Sequence, residues 1–285
     1  MKKLLYALSI MALGMTSSHA AYFEVDFTDD ERYVDTTAEP SWLENQMPDI
    51  GSWSQQYVNN FKVADTAGSG VLALDQSLNR SFKTATFSEN IGDGANNFSY
   101  YVDFQFTAGS TTVLSGSNKQ MFRINARDNT GGKNLFGSLE LKDTEGSFNL
   151  LLWGVGYDRM SFSANDIGLA VSEGNWVDAE SANLRLKIDA EYSGSGNLWN
   201  ADAALYNLDN SNAEVAAATL SDQDMGGTWT AGTDRKIRFN SGNADQIGDA
   251  IFNFDTVAVI PEPASLGMVA VFGGGLLFVR RRFMI

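Results

Sequence analysis

No cysteine occurs anywhere in this chain, and its single histidine, His19, falls within the first twenty residues. A domain built from the rest has neither side chain. That excludes disulfide staples, Cys or His nucleophile–base pairs, the Ser-His-Asp arrangement, and zinc sites made from nitrogen or sulfur ligands. Without disulfides, stability must come from a core, and the span 21–259 is long enough to bury one. Helical periodicity is also scarce, and there is no internal repeat, proline-rich linker or compositional break within that span. One domain is the economical reading.

Basic residues are the next shortage. The chain has 20 Lys+Arg against 35 Asp+Glu. Setting aside Lys2, Lys3, Arg280, Arg281, Arg282 and Glu262, residues 21–260 keep 15 basic and 34 acidic side chains, a net charge of −19. Such a surface repels nucleic acid and anionic lipid and favours solubility and cation binding. The same reasoning weighs against an anionic polysaccharide as ligand, unless divalent ions bridge the two.

What is present begins with strand alternation. Tyr22-Phe23-Glu24-Val25-Asp26-Phe27 alternates, as does the run from Phe98 to Phe106, which puts Phe98, Tyr100, Val102, Phe104 and Phe106 on one face. Leu184–Ala190, Lys236–Phe239 and Ile251–Val259 follow the same period. Turn clusters such as Gly92-Asp93-Gly94 and Ser193-Gly194-Ser195-Gly196-Asn197 separate them. Many short strands joined by such turns predict an all-β fold, a single large β-sandwich over 21–259.

The two ends carry a different pattern. Lys2 and Lys3, an apolar run Leu4–Met15 and the small residues of Ser18-His19-Ala20 predict a secretory signal peptide over 1–20, cleaved after Ala20. Residues 260–285 hold Pro261-Glu262-Pro263, an apolar stretch Ala264–Val279, and Arg280, Arg281 and Arg282. Charge deep in lipid costs about 2.5–3.5 kcal/mol, so the arginines act as a membrane stop facing the cytoplasm, with a transmembrane helix before them. The prolines keep the entrance extended and accessible. A plain, unprocessed anchor is the alternative.

This three-part tail resembles the PEP-CTERM sorting signal of Gram-negative bacteria. The resemblance implies an inner-membrane precursor, recognition and cleavage near Pro261, Glu262 and Pro263 by an exosortase-type enzyme, and surface display or release, commonly beside exopolysaccharide. The body resembles, more loosely, a concanavalin A-like or laminin-G-like jelly roll. The pattern lies in the early strand ending in Asp-Phe, the segment from Ala182 to Asn210, and the closing strand "DAIFNFDTVAVIPEP". That likeness implies that a late, aspartate-bearing strand packs beside the first one.

Three kinds of site follow. Calcium takes six to eight oxygen ligands and needs neither His nor Cys. Asp26 and Asp255 would meet if the terminal strands pair, with Glu24 and Asn253 on the same alternation; the jelly-roll resemblance implies a structural calcium there, whereas outward-facing polar residues are the plainer reading. Sugar binding would rest on exposed aromatic rings near amides and acids. Trp153 and Tyr157 flank Gly154-Val155-Gly156, and Trp199 follows a Gly/Ser loop, although tryptophan in a sandwich is more often core. Trp42 and Trp53 would pin an irregular N-terminal segment. Hydrolysis needs two carboxylates flanking one bond. The nearest acids are Glu24 with Asp26, and Glu140 with Asp143 and Glu145; the latter pair lies in a turn between strands Leu135–Leu141 and Phe148–Trp153. Asp29-Asp30-Glu31 reads as a solvated loop. The expectation is therefore a non-catalytic, exported, surface or matrix protein, with extracellular polysaccharide as the candidate ligand; the alternative is a jelly-roll glycoside hydrolase or lyase.

Overall fold

A computed structural model describes residues 23–35, 43, 46–56, 61–75, 84–87, 97–108, 119–128, 133–142, 144–172, 175–176, 181–229, 235–241 and 251–261. The expected signal peptide, the membrane segment, Trp42, Glu262, Pro263 and the three terminal arginines lie outside these residues. Within them the chain forms strands and short 3-10 turns, and no helix is long and apolar enough to cross a membrane.

In chain order the strands are β1 (Phe23–Val25), β2 (Trp53–Gln56), β3 (Phe61–Ala64), β4 (Val71–Asp75) and β5 (Thr84–Phe87). Then come β6 (Phe98–Thr107), β7 (Lys119–Asp128), β8 (Asn134–Leu141), β9 (Ser147–Trp153) and β10 (Tyr157–Ser163). A small ribbon of β11 (Val171–Ser172) and β12 (Asn175–Trp176) precedes the long β13 (Ser181–Tyr192), β14 (Leu198–Asn207) and β15 (Ala213–Asp224). The last two are β16 (Arg235–Ser241) and β17 (Ile251–Pro261). They make two sheets. One has eight strands in the order β15-β14-β13-β6-β17-β4-β3, with β1 also on β17; the other has seven, in the order β10-β9-β8-β7-β16-β5-β2.

The expected sandwich is what forms. Alternation decides which side of each strand is buried: β13 switches between buried and half-exposed residue by residue, and Phe98, Tyr100, Val102, Phe104 and Phe106 of β6 all point inward. Phe104, Phe122, Phe252 and Phe254 interlock between the sheets, with the Phe104–Phe122 centroids 4.7 Å apart and near-perpendicular, a favourable aromatic arrangement. Tyr100, fully buried, donates its hydroxyl across the core to the Leu135 carbonyl at 2.8 Å. Gly137 of β8 faces the eight-stranded sheet so closely that a Cβ there would sit 3.0 Å from Ile188 Cδ1. That contact fixes which side of β8 looks out: Phe136, Ser138 and Glu140.

The pairing of the terminal strands also forms. β1 runs antiparallel to β17, with Phe23 opposite Val259 and Val25 opposite Val257. β17 carries an irregularity between Phe254 and Thr256, leaving Asp255 as the extra residue of a bulge. Phe252 and Phe254 point inward before it and Val257 and Val259 after it, so the bulge resets the phase. The strand extends two residues past the expected domain limit of 259, ending with Pro261 opposite Phe98. Proline is tolerated at such a terminal position, where its missing N–H costs little.

Candidate functional site

The outer face of the seven-stranded sheet is the candidate site. Strand register brings Tyr157 of β10, Trp153 of β9, Phe136 of β8, Asn125 of β7 and Arg238 of β16 into one row across the sheet. Adjacent strands lie about 4.8 Å apart, so the row spans roughly 19 Å. Its three aromatic rings are nearly parallel. Phe136 and Trp153 are 6.0 Å apart at 9°, Trp153 and Tyr157 5.4 Å apart at 10°. Guanidinium groups lie over both ends, Arg123 4.9 Å from the Phe136 centroid and Arg159 5.9 Å from that of Tyr157, within cation–π range. Trp153 is 40% exposed and Tyr157 61%, and Val155 in the turn between them is also exposed.

The hairpin that presents these rings is held from behind. Gln223 of β15 accepts hydrogen bonds from the Val155 and Gly156 amides at 2.9 and 2.7 Å. A side chain at Gly154 would crowd that amide, its Cβ 3.1 Å from Gln223 Oε1. Asp158 also accepts from the Thr219 amide at 2.9 Å, so the edges β10 and β15 of the two sheets are tied together.

Below the rings the face becomes polar and buried. Asn125, Ser138, Glu140, Asn149 and Asn240 are all outward in phase yet buried. Asn125 Oδ1 and Ser138 Oγ have no hydrogen-bond partner, a costly state that a buried water would relieve. Glu140 is ion-paired with Arg159, Oε2 to Nη2 3.2 Å, and burial pushes its carboxyl up while Arg159 opposes that shift. Arg123 Nε donates to Asn240 Oδ1 at 3.1 Å. Among the described residues Glu140 is the one carboxylate in phase with this face.

A second concavity, about 330 Å³, opens on the outside of the eight-stranded sheet. Asp103, Gln105, Asn183, Asn253 and Asp255 line it. Its polar groups largely satisfy one another. Arg185 grips Asp103 with two hydrogen bonds of 2.5 and 2.6 Å, and Asn183 donates to Asp209 at 2.9 Å. Asp255 is pushed up by partial burial and then by the charges of Asp103 and Asp26. Asp26 thus lies near enough to Asp255 for its charge to be felt there. Asp26 itself caps its own turn, accepting from the Thr28 amide and hydroxyl at 3.2 and 2.7 Å. Among the described residues no group of three acids or histidines is spaced to hold a metal ion.

Three expectations change. Trp199 is 1% exposed, on the inward phase of β14 beside Ala201 and Ala203, against Phe98 and Trp229. The preceding Gly/Ser turn closes before it, Ser193 N donating to Leu198 O, so strand phase buries the ring. Trp53 belongs to β2 and the core, its indole N–H donating to Tyr33 Oη at 2.8 Å. Glu31 is half-buried rather than solvated, because its Oε2 accepts the Asp26 amide at 3.1 Å. Phe136, Asn125 and the outward arginines of β7 and β16 do not stand out in the sequence as site residues. Their alternation, Arg123-Ile124-Asn125-Ala126-Arg127 and Lys236-Ile237-Arg238, is visible; the pairing of two strands more than a hundred residues apart is not.

No protein-family model matches this chain, and no curated protein does. Solved structures similar to it include lectin I from Ulex europaeus in complex with the methyl glycoside of α-L-fucose, at 10% identity and TM-score 0.48, covering 83% of this chain and 95% of that one. A legume lectin-like domain from Entamoeba histolytica aligns at 8% identity and TM-score 0.44, over 74% of this chain and 90% of the other. An alginate lyase from Klebsiella pneumoniae aligns at 13% identity and TM-score 0.43, over 73% and 87%.

Proposed function

We propose that this chain is an exported, non-catalytic carbohydrate-binding sandwich, displayed at the cell surface or in the extracellular matrix. Its resemblance to PEP-CTERM proteins supports handling of the tail by an exosortase-type enzyme at Pro261-Glu262-Pro263. One observation carries the binding role: the outward, nearly parallel row Phe136–Trp153–Tyr157, whose Trp153 and Tyr157 rings are exposed on the sheet face with Arg159 beside them. Aromatic surface covers the apolar side of a sugar, and polar groups beside it meet hydroxyls. Among the described residues one carboxylate, Glu140, is in phase with that face and is already paired with Arg159; this supports binding over hydrolysis, which needs two.

Glycan-array binding tests this. Trp153→Ala is expected to lower binding at least tenfold while leaving thermal stability close to wild type, since the ring is partly exposed. Binding that survives the substitution would remove the reading. The enzyme alternative keeps one feature in its favour, Tyr157 beside Arg159 on an open edge. Release of reducing ends or unsaturated products from a polysaccharide, abolished by Tyr157→Phe or Glu140→Gln, would replace the binding role with catalysis.

A further inference from the structure

We propose that the outer face of the seven-stranded sheet is built for an anionic polysaccharide, one carrying carboxylate or sulfate groups; this rests on the carbohydrate-binding reading above. The whole-chain charge points the other way, but the charge is not evenly spread. Among the described residues, Arg123, Arg127, Lys142, Arg159, Lys236 and Arg238 are in phase with this face, against one carboxylate, Glu140. Six cations of the 15 in residues 21–260 thus occupy one side of one sheet among the described residues.

Their arrangement is unfavourable without a ligand. Arg127 stands directly opposite Lys236, and Arg238, opposite Asn125, is the diagonal neighbour of both Arg123 and Arg127. Like charges directly across a ladder destabilise the pair. Arg238 is also partly buried, its Nε without a hydrogen-bond partner. Burial first, then Arg127 and Arg123, lowers the proton affinity of its guanidinium. A carboxylate or sulfate seated over these side chains neutralises the repulsion, and guanidinium groups suit such planar or tetrahedral oxyanions. The aromatic rings continue the same row, so one extended chain contacts rings at β10 and cations at β7 and β16.

The test is titration of the full-length chain at fixed ionic strength with dextran (neutral), polygalacturonate (carboxylated) and dextran sulfate (sulfated). At least one anionic polymer is expected to bind tenfold or more tightly than dextran, and which one does so separates carboxylate from sulfate recognition. The double variant Arg127→Gln/Arg238→Gln should lose at least tenfold for that polymer and melt no lower than wild type because repulsion is relieved. If that variant does not fold, Lys236→Gln alone reads the same change at about threefold. Dextran binding as tightly as the anionic polymers, lost in Trp153→Ala, overturns the anionic inference and leaves sugar binding standing. No binding of any polymer overturns both. Single-stranded DNA competing equally with the anionic polymer overturns it as well, since charge alone would then suffice.

Discussion

Glu31 sits in a short 3-10 turn whose neighbours Asp29 and Asp30 are exposed. Its own carboxylate is half-buried beside Asp26, and burial, with the Asp26 charge adding to it, pushes it from the ordinary 4.5 to about 7. Between those values the folded chain binds more protons than the unfolded chain. Stability contributed here is therefore full below about 4.5 and is lost as pH rises to about 7. Glu31→Gln keeps an oxygen to accept the Asp26 amide and removes the charge. It should melt roughly 2–4 °C above wild type at pH 8 and match it at pH 4.5; melting curves at the two pH values check this. Trp153 and Trp199 make a second residue-scale contrast. One is outward on β9, the other inward on β14 within van der Waals reach of Phe98 and Trp229. Removing a buried ring costs about 3–5 kcal/mol, so Trp199→Ala should lower the denaturant midpoint sharply, an effect that Trp153→Ala should not share.

At the scale of elements, the β9–β10 hairpin owes its geometry to a strand of the other sheet. Gln223 supplies a carbonyl to two consecutive amides of the loop and donates its own N–H to the Ser221 carbonyl at 2.7 Å. Gln223→Ala strips both amides of their acceptor, a loss of about 1–3 kcal/mol for groups left unsatisfied, less where water reaches them. The expected result is weaker sugar binding with the Trp153 and Tyr157 rings intact, measured together with faster hydrogen exchange at Val155 and Gly156. Gln223→Asn keeps the amide chemistry and shortens the side chain by one methylene, so it tests reach alone. Elements of this kind mark what sequence could and could not disclose. The inward faces of β6, β13 and β16 are legible because period-2 alternation is local, and so is the turn between β8 and β9. The bulge at Asp255 has a local trace as well, since Phe252 and Phe254 fall on one parity and Val257 and Val259 on the other. For Trp199 the turn composition points to exposure, whereas its place as the second residue of β14 decides burial. The row from Tyr157 to Arg238 is invisible for another reason: it exists only once β16 inserts between β7 and β5, a pairing no local pattern encodes.

For the whole molecule, the decisive feature is that β1 and β17 are antiparallel partners. Phe23 opens β1 opposite Val259, so the start of β1 and the end of β17 lie at the same end of the same sheet. A signal peptide removed after Ala20 leaves two residues ahead of the first paired position, and a cut near Pro261 falls at the last rung, opposite Phe98. Both expected processing points thus lie at the margin of the ladder. Truncation measures how strict that limit is. A chain ending at Ile260 keeps every β1–β17 pair and loses one rung of the β17–β6 ladder; it should melt within a few degrees of the untruncated domain, about the effect of 1 kcal/mol. A chain ending at Asn253 loses Phe254, Val257 and Val259 from the core and all three β1 pairs. It leaves β6 as an open edge over exposed apolar surface, and it should fail to give a cooperative transition. Mass spectrometry of any product recovered outside the cell then checks the same boundary. A mature C-terminus before Val257 would mean that processing dismantles the sandwich, and the link between tail removal and a folded, sugar-binding product would have to be abandoned.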